Sequence, residues 1–302
     1  MDDRGHLTTE HRNSRTMELG RADIGETFDL INSEDATIAA AVAAAKPEIC
    51  CAIELVVTGL RAGGRLIYVG AGTSGRLAVL DATECPPTFL TDPQTVQAII
   101  AGGAEALTCS VEGAEDRFVD GEEAIHRRHV DRSDVVLGIA TGGTTPFVHG
   151  ALRAAKIGGA STVFLACVPQ EQAGDEADVS IRVITGPEVL TGSTRMKAGT
   201  ATKMVLNMVS TITMVQLGKV YENLMVDVNT RTNAKLVDRG TRIVQTLSGL
   251  PREAARELLG QAGGRVKTAL VMHARGVDQD AAEQLLAEFD GHVDRAVGEQ
   301  SL

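Results

Sequence analysis

Two short acidic stretches in this sequence have the residue types for proton transfer. One is "DATECPPTF", which holds Glu84, and the other is "VEGAEDR", which holds Glu112, Glu115 and Asp116. Pro86 and Pro87 stiffen the chain behind Glu84 and bias Cys85 away from helix. A carboxyl on a stiff segment beside an anion site suits a positioned proton carrier. For Glu115 a second explanation stays open, because acidic residues in a first helical turn also complement the helix dipole.

Three glycine- and hydroxyl-rich loops could make the anion site. The first is "GAGTSGR", with Gly72, Thr73, Ser74, Gly75 and Arg76. It has GxGxxG spacing, but no acidic residue ends a second strand where a ribose would need one, and no Gly-Lys-Ser/Thr follows. The second is "ATGGTTP", with Thr141, Gly142, Gly143, Thr144 and Thr145. The third is "LTGSTRMKAGT", with Ser193, Thr194, Arg195 and Lys197. Each follows a strand or precedes a helix, where unpaired N–H groups and the helix dipole favour an anion. Any one alone is equally a plain tight turn; three in one sheet point to a phosphate. Lys197 is either a ligand cation or a solvated surface charge. The histidines form no pattern with the carboxylates, and no spacing suits a metal, so none is expected.

The elements that must position these loops alternate. Short apolar strands are expected at Arg65–Val69, Val96–Ile100, Asp134–Ala140, "STVFLACV" and "DVSIRVI", with helices between them and Pro47 breaking or restarting an earlier helix. That alternation predicts an α/β fold, a doubly wound, mostly parallel sheet covered on both faces, with ligands at the carboxyl ends of the strands. Residues 1–33 are polar and read as an N-terminal arm, 34–230 as the sheet domain, and 231–302 as a helical region. Within the last, "AARELLGQAGGRVKTAL" and "AAEQLLAEFDGHVDRAV" align without gaps, each a helix, a glycine turn and a helix. Two such units predict a small helical bundle packed on itself or on a partner, with a structural role.

Bulk properties narrow the partners. With 29 Lys and Arg against 40 Asp and Glu, the net charge of −11 disfavours nucleic acid and anionic membranes. No signal peptide or transmembrane stretch is read. The cysteines Cys50, Cys51, Cys85, Cys109 and Cys167 are odd in number and form no CxxC, so they read as reduced thiols in a cytoplasmic protein, mostly packing residues.

Taken together, "RLIYVGAGTSGRL", "DATECPPTF", "VEGAED", "TGSTRMKAGTATK", "NLMVDV" and the early "LTTEHRNSRT" resemble the N-acetylmuramic acid 6-phosphate etherase family of the sugar isomerase (SIS) superfamily. The resemblance runs over nearly the whole chain. It implies a flavodoxin-like SIS domain, a homodimer with the site at the subunit interface, and no cofactor. It also implies cleavage of the lactyl ether of N-acetylmuramic acid 6-phosphate to N-acetylglucosamine 6-phosphate and D-lactate, in peptidoglycan recycling. The family pattern places the proton donor at Glu84 and a second catalytic carboxyl at Glu115. An open-chain aldehyde acidifies its neighbouring C–H, so elimination of the ether followed by hydration needs an acid, a base and a grip on the phosphate.

The second loop departs from that pattern. Gly142 stands where the family has Ser, and Thr144 where it has Arg, so a hydroxyl and a cation are missing where the phosphate or the lactyl carboxylate would be held; Thr141 and Thr144 restore hydroxyl capacity, but the cation is not replaced locally. Two other readings share the cradle: a non-catalytic phosphosugar-binding regulator of the same superfamily, and a phosphosugar isomerase. The length and the presence of both Glu84 and Glu115 favour the etherase over the first, and the "ECPP" block favours it over the second.

Overall fold

A computed structural model describes residues 4–228, 230 and 234–298 of the chain. By its internal packing it divides into two units, residues 1–83 with 94–210, and residues 84–93 with 211–302. The boundary read from the sequence after residue 230 falls at residues 231–233, which lie outside the described residues.

The first unit is built on a parallel sheet of β1 (Leu66–Gly70), β2 (Val96–Ile100), β3 (Val135–Ile139), β4 (Ser161–Ala166) and β5 (Val179–Arg182), in the order β2-β1-β3-β4-β5. That is the doubly wound, flavodoxin-like order. β1 and β3 are buried at every position, as a strand covered on both faces must be. One face packs Ile67, Val69, Val136 and Phe164 against α5 (Phe118–Arg127) and α6 (Pro146–Ile157). Helices α1 (Ile24–Asp35) and α2 (Ile38–Ala44) come before the sheet. They lead to α3 (Lys46–Arg61), which starts with Pro47 in its first turn, where a missing N–H costs nothing. The other face carries α3, α4 (Gly72–Phe89) and α7 (Lys197–Gln216).

A buried carboxylate joins the elements of this second face. Asp81 of α4 accepts hydrogen bonds from Tyr68 Oη of β1 at 2.9 Å, Asn207 Nδ2 of α7 at 2.7 Å and Ser210 Oγ of α7 at 3.1 Å. Burial pushes this carboxyl up while the three donors pull it down. The bonds satisfy a polar group that would otherwise be costly inside a core.

Two sequence expectations are corrected here. Pro86 and Pro87 do not end the helix before Cys85; α4 runs on through them to Phe89, with Cys85 buried. Neither proline has an N–H to give the carbonyl four residues earlier, Ala82 O and Thr83 O, so the helix forgoes two bonds close to its end and continues past them. The chain then leaves through Leu90, whose N–H bonds Pro86 O and whose φ is +52°. The cysteines are also less uniform than expected: Cys85 and Cys167 are buried packing residues, but Cys50, Cys51 and Cys109 are exposed.

The early residues pack onto the sheet unit rather than standing off it as an arm. Leu7 is in the core beside Phe147 and Phe164. Thr8 donates from both its N–H and its hydroxyl to Gln172 Oε1 at 2.9 Å. Thr16 donates to Val189 O at 2.9 Å. Two short 3₁₀ turns, Thr8–Glu10 and Ser14–Thr16, let this strap follow the loops after β4 and β5.

In the second unit the sequence repeat is visible in three dimensions. α9 (Arg252–Gln261) and α10 (Val266–Arg275) correspond to α11 (Gln279–Glu288) and α12 (Val293–Val297). Equivalent residues fill one core: Ala255 and Ala282, Leu259 and Leu286, Val266 and Val293, Ala269 and Ala296. The glycine turns match as well. Gly264 N–H bonds Leu259 O at 2.8 Å and Gly291 N–H bonds Leu286 O at 2.7 Å, both glycines at positive φ. α8 (Ala234–Ser248) and a two-strand hairpin, β6 (Val220–Tyr221) with β7 (Leu224–Met225), complete the unit and were not read from the sequence. No helix among the described residues is long and apolar enough to cross a membrane.

Close crossing of α5 and α6 depends on a reciprocal pair of glycines. A Cβ on Gly121 would collide with Phe147 O, and one on Gly150 with Phe118 O. Helix propensity alone would make Gly121→Ala stabilising by about 1 kcal/mol; the collision reverses the sign. Gly121→Ala is therefore expected to lower stability by roughly 1–3 kcal/mol, read from the midpoint of urea unfolding.

Candidate active site

The three loops meet at the carboxyl edge of the sheet. β1 delivers the first. Gly70 and Gly75 have no room for a side chain: a Cβ on Gly75 would lie 2.5 Å from Ile100 Cγ1, and one on Gly70 2.8 Å from Gly75 N. The absent side chains let α4 begin directly above the ends of β1 and β2. Gly72 supplies the φ of +52° that the turn into α4 requires. Ser74 is buried at this start and Thr73 is half-buried.

The second loop leaves β3. Gly143 takes φ +79°, donates its N–H to Ala140 O at 2.8 Å, and has its own carbonyl 2.8 Å from His149 Nε2. Thr141 O accepts from Cys167 N–H at 2.8 Å, which fixes the loop to the end of β4. Thr145 precedes α6 and makes no side-chain cap bond; Pro146 opens the helix. Thr144 and Gly142 are partly exposed.

The third loop comes next to the first. A Cβ on Gly199 of α7 would be 3.6 Å from Thr73 Cγ2 and 3.5 Å from Thr194 O. Cys167 Sγ lies 3.9 Å from Ala198 O, which links α7 to the second loop as well. Burial pushes this thiol up to about 12, so it stays protonated.

Not every expected ligand residue faces this convergence. The N-terminus of α7 is occupied by the protein itself. Glu188, fully buried, accepts from Lys197 N at 2.9 Å with one oxygen and from Ala198 N at 2.9 Å with the other. Two N–H groups that the sequence suggested for a phosphate are thus capped by a carboxylate. Lys197 is neither a ligand cation nor a surface charge. Its side chain is fully buried, and Nζ bonds Glu34 Oε2 at 2.7 Å and Pro187 O at 3.1 Å. Glu34 also takes Arg15, through Nη2 at 2.8 Å and through Nε. Arg76 donates to Leu107 O at 3.3 Å and Cys109 O at 2.9 Å, so it braces the loop that leads to Glu112 and Glu115. Of the three cations expected at the site, Arg195 alone is exposed with no hydrogen bond or ion pair to another described residue.

The two carboxylates are each exposed. Glu115 stands on a 3₁₀ turn, Ala114–Asp116, entered through Gly113 at φ +73°. Glu84 lies in the later part of α4, in the second unit. Sequence reasoning missed Glu188 and Glu34 as anchors. Their signal was faint: Glu34 lies in a polar Ser33-Glu34-Asp35 run and Glu188 between Pro187 and Val189, with no basic residue adjacent to either.

Comparison with known proteins gives the class first. Residues 48–156 match the family model of the glucokinase regulatory protein N-terminal SIS domain, and residues 116–212 match that of the SIS domain. With the β2-β1-β3-β4-β5 sheet and its strand-end loops, these define a SIS-domain protein. Curated relatives then give the family. The chain is 57% identical over 278 residues to the N-acetylmuramic acid 6-phosphate etherase of Nostoc punctiforme, covering 92% of this chain and 90% of the relative. It is 56% identical to that of Trichormus variabilis over 98% of this chain and 96% of the relative. It is 54% identical to that of Gloeothece citriformis over 100% of this chain and 98% of the relative. The chain belongs to the N-acetylmuramic acid 6-phosphate etherase family.

The Lys197–Glu34 pair makes a prediction that separates structure from binding. Removing one partner of a buried ion pair leaves the other charge uncompensated, so Lys197→Met should cost roughly 3–5 kcal/mol of stability. The Arg15 hydrogen bond, opposed by burial and aided by Lys197, holds the Glu34 carboxyl at about 2. Its folded value is depressed, so its contribution is complete above the ordinary carboxylate range and is lost as pH falls towards 2. Wild-type stability should decline over that acid window, and Glu34→Gln should be less stable near neutrality and flatter below it, as followed by unfolding melts at stepped pH.

Proposed function

We propose that this protein cleaves the D-lactyl ether of N-acetylmuramic acid 6-phosphate, releasing D-lactate and N-acetylglucosamine 6-phosphate in peptidoglycan amino-sugar recycling. The observation that carries this reading is the full-length similarity to etherases of that name. The convergence of three hydroxyl-bearing strand-end loops supports it, because a sugar phosphate is the guest such loops suit.

The chemistry runs through the open-chain aldehyde. A base removes the proton on the carbon beside the aldehyde. Those electrons form a carbon–carbon double bond as the ether bond on the next carbon breaks. The departing lactyl oxygen takes a proton from an acid. Water then adds to the unsaturated aldehyde where the ether was, and a proton returns to the neighbouring carbon. Atoms balance as ether plus water giving alcohol plus lactate. Glu84 is the proposed donor to the lactyl oxygen, and Glu115 the base or its support. Arg195 and the hydroxyls of Thr73, Ser74, Thr141, Thr144, Thr145, Ser193 and Thr194 are the proposed substrate contacts, with Gly72, Gly75, Gly142 and Gly143 giving backbone access. Arg76 acts by bracing the loop towards Glu115 rather than by holding phosphate.

A homodimer with the site at the subunit interface fits the exposure of both glutamates. Acid–base chemistry of this kind works best where water is excluded, and a second copy would cover carboxylates that one chain leaves open. Five cysteines without a disulfide support a reducing, cytoplasmic setting. The match to a regulatory protein's SIS domain favours one other reading, a phosphosugar-binding regulator without catalysis.

Incubation with N-acetylmuramic acid 6-phosphate should release D-lactate stoichiometrically. Glu84→Gln should lower that rate by at least 10²-fold, as loss of a general acid does, while phosphosugar binding stays measurable. Wild-type binding with no lactate would favour the regulator. Sedimentation equilibrium should give twice the mass of one chain.

A further inference from the structure

The strap at the start of the chain passes three parts of the candidate site in turn. Arg4 Nη2 lies 3.9 Å from Asp116 Oδ1, on the 3₁₀ turn that carries Glu115. Leu7 and Thr9 lie beside the second loop: a Cβ on Gly142 would be 3.9 Å from Leu7 Cδ1 and 3.8 Å from Thr9 Oγ1. Glu10 reaches the third loop, where a Cβ on Gly192 would be 3.1 Å from its Oε2. Gly192 takes φ +75°, so glycine there serves both the turn and the approach of this carboxylate.

The strap is fixed on both sides of Glu10. Leu7 and Thr9 are buried before it, and Asn13 and Thr16 after it. Thr8 is tied to Gln172, Asn13 Nδ2 donates to Pro187 O at 3.4 Å, and Thr16 is tied to Val189. Glu10 N–H bonds Leu7 O at 2.9 Å and closes the turn. The Glu10 side chain is exposed, and its carboxylate makes no hydrogen bond or ion pair with another described residue. His11 and Arg12 are exposed too, but neither comes within 4 Å of a Cβ position on Gly142 or Gly192. A well-anchored backbone thus holds one open, unpaired carboxylate against the third loop.

We propose that Glu10 is a specificity-determining residue: its carboxylate accepts a hydrogen bond from an O–H or N–H of the sugar and so orients the sugar with its phosphate away from Gly192. This deepens the proposed function and rests on its placement of a phosphosugar at these loops. Charge is the reason for the assignment. The Arg195 guanidinium, the loop hydroxyls and the backbone N–H groups can all donate to an anion, whereas an ionised carboxylate only accepts. Beside Glu10 a phosphate is repelled, while a hydroxyl or acetamido N–H gains a charged acceptor. Glu84 and Glu115 have proton-transfer roles in the proposed reaction, so Glu10 is the acid left to recognise the neutral part of the substrate.

Glu10→Ala removes the acceptor from an exposed side chain, so the melting temperature should hold. Loss of a bond to a charged acceptor predicts a rise of about tenfold in KM for N-acetylmuramic acid 6-phosphate, with kcat within about threefold. By titration calorimetry, N-acetylglucosamine 6-phosphate should bind about tenfold more weakly, and inorganic phosphate no more weakly than to wild type. Glu10→Gln keeps an amide oxygen that accepts without charge, so its KM should rise by only about threefold. KM and N-acetylglucosamine 6-phosphate affinity unchanged from wild type in Glu10→Ala would overturn the proposal, as would the same unchanged values in Glu10→Gln should Glu10→Ala fail to fold. An equal loss of inorganic phosphate affinity would overturn it too, and so would a kcat lowered by about 10²-fold at unchanged KM, the mark of a proton-transfer group. The two readings can fail separately. Lactate release with wild-type KM in Glu10→Ala would sink the assignment of Glu10 alone. A wild-type protein that releases no lactate, yet loses N-acetylglucosamine 6-phosphate affinity on Glu10→Ala, would sink the etherase reading and uphold Glu10.

Discussion

The ion pair between Lys197 and Glu34 is the contact on which the candidate site rests. It joins the first residue of α7 to the end of α1 with both side chains out of water. Such a pair repays the desolvation of its charges only if geometry and further hydrogen bonds are good. Here Pro187 O accepts a second hydrogen bond from Lys197 Nζ, Arg15 fills the outer side of Glu34, and Glu188 caps the same helix turn. The strap, the loop after β5 and the start of α7 are thereby held as one piece. The third loop, Ser193 to Arg195, projects from that piece.

The three strand-end helices use their N-termini differently. α4 opens on glycines that permit close approach, so its first turn can remain a place for a ligand. α6 opens on Thr145 and Pro146 with no side-chain cap. α7 is closed by Glu188. A shared position in the fold does not mean a shared role, because an N-terminus already satisfied by a buried carboxylate has little left to offer an anion. The three loops are therefore not equal cradles: in the proposed site the third offers Ser193, Thr194 and Arg195, but not the N–H groups of Lys197 and Ala198.

The second unit has a different logic. Its two helix–turn–helix repeats bury the same positions in the same order, and each turn is closed by the same i to i−5 bond at a glycine of positive φ. Each repeat has too little apolar surface to fold alone; paired, they bury one continuous core. No chemistry is needed to explain their recurrence.

Much of this was legible in the residues alone. Runs such as "LIYVG" and "VVLGI" are apolar throughout, which a strand buried on both faces must be, and their alternation with helices limits the fold to a parallel α/β sheet. Local rules set Pro47 at a helix start and the glycines at the loops, because backbone geometry acts over a few residues. Long-range pairing was out of reach. Nothing near Lys197 announces Glu34, 163 positions away, and nothing near Gly142 announces Thr9. Pro86 and Pro87 misled because a local preference to break a helix was overridden where the surrounding packing holds α4 to its end. The sequence by itself determined which segments could be strands, helices and anion-accepting turns, since those follow from side-chain size, polarity and φ over short windows. Only the tertiary structure decided which charges are spent on the fold and which stay free for a ligand, because burial and pairing depend on residues that meet only after the chain has folded.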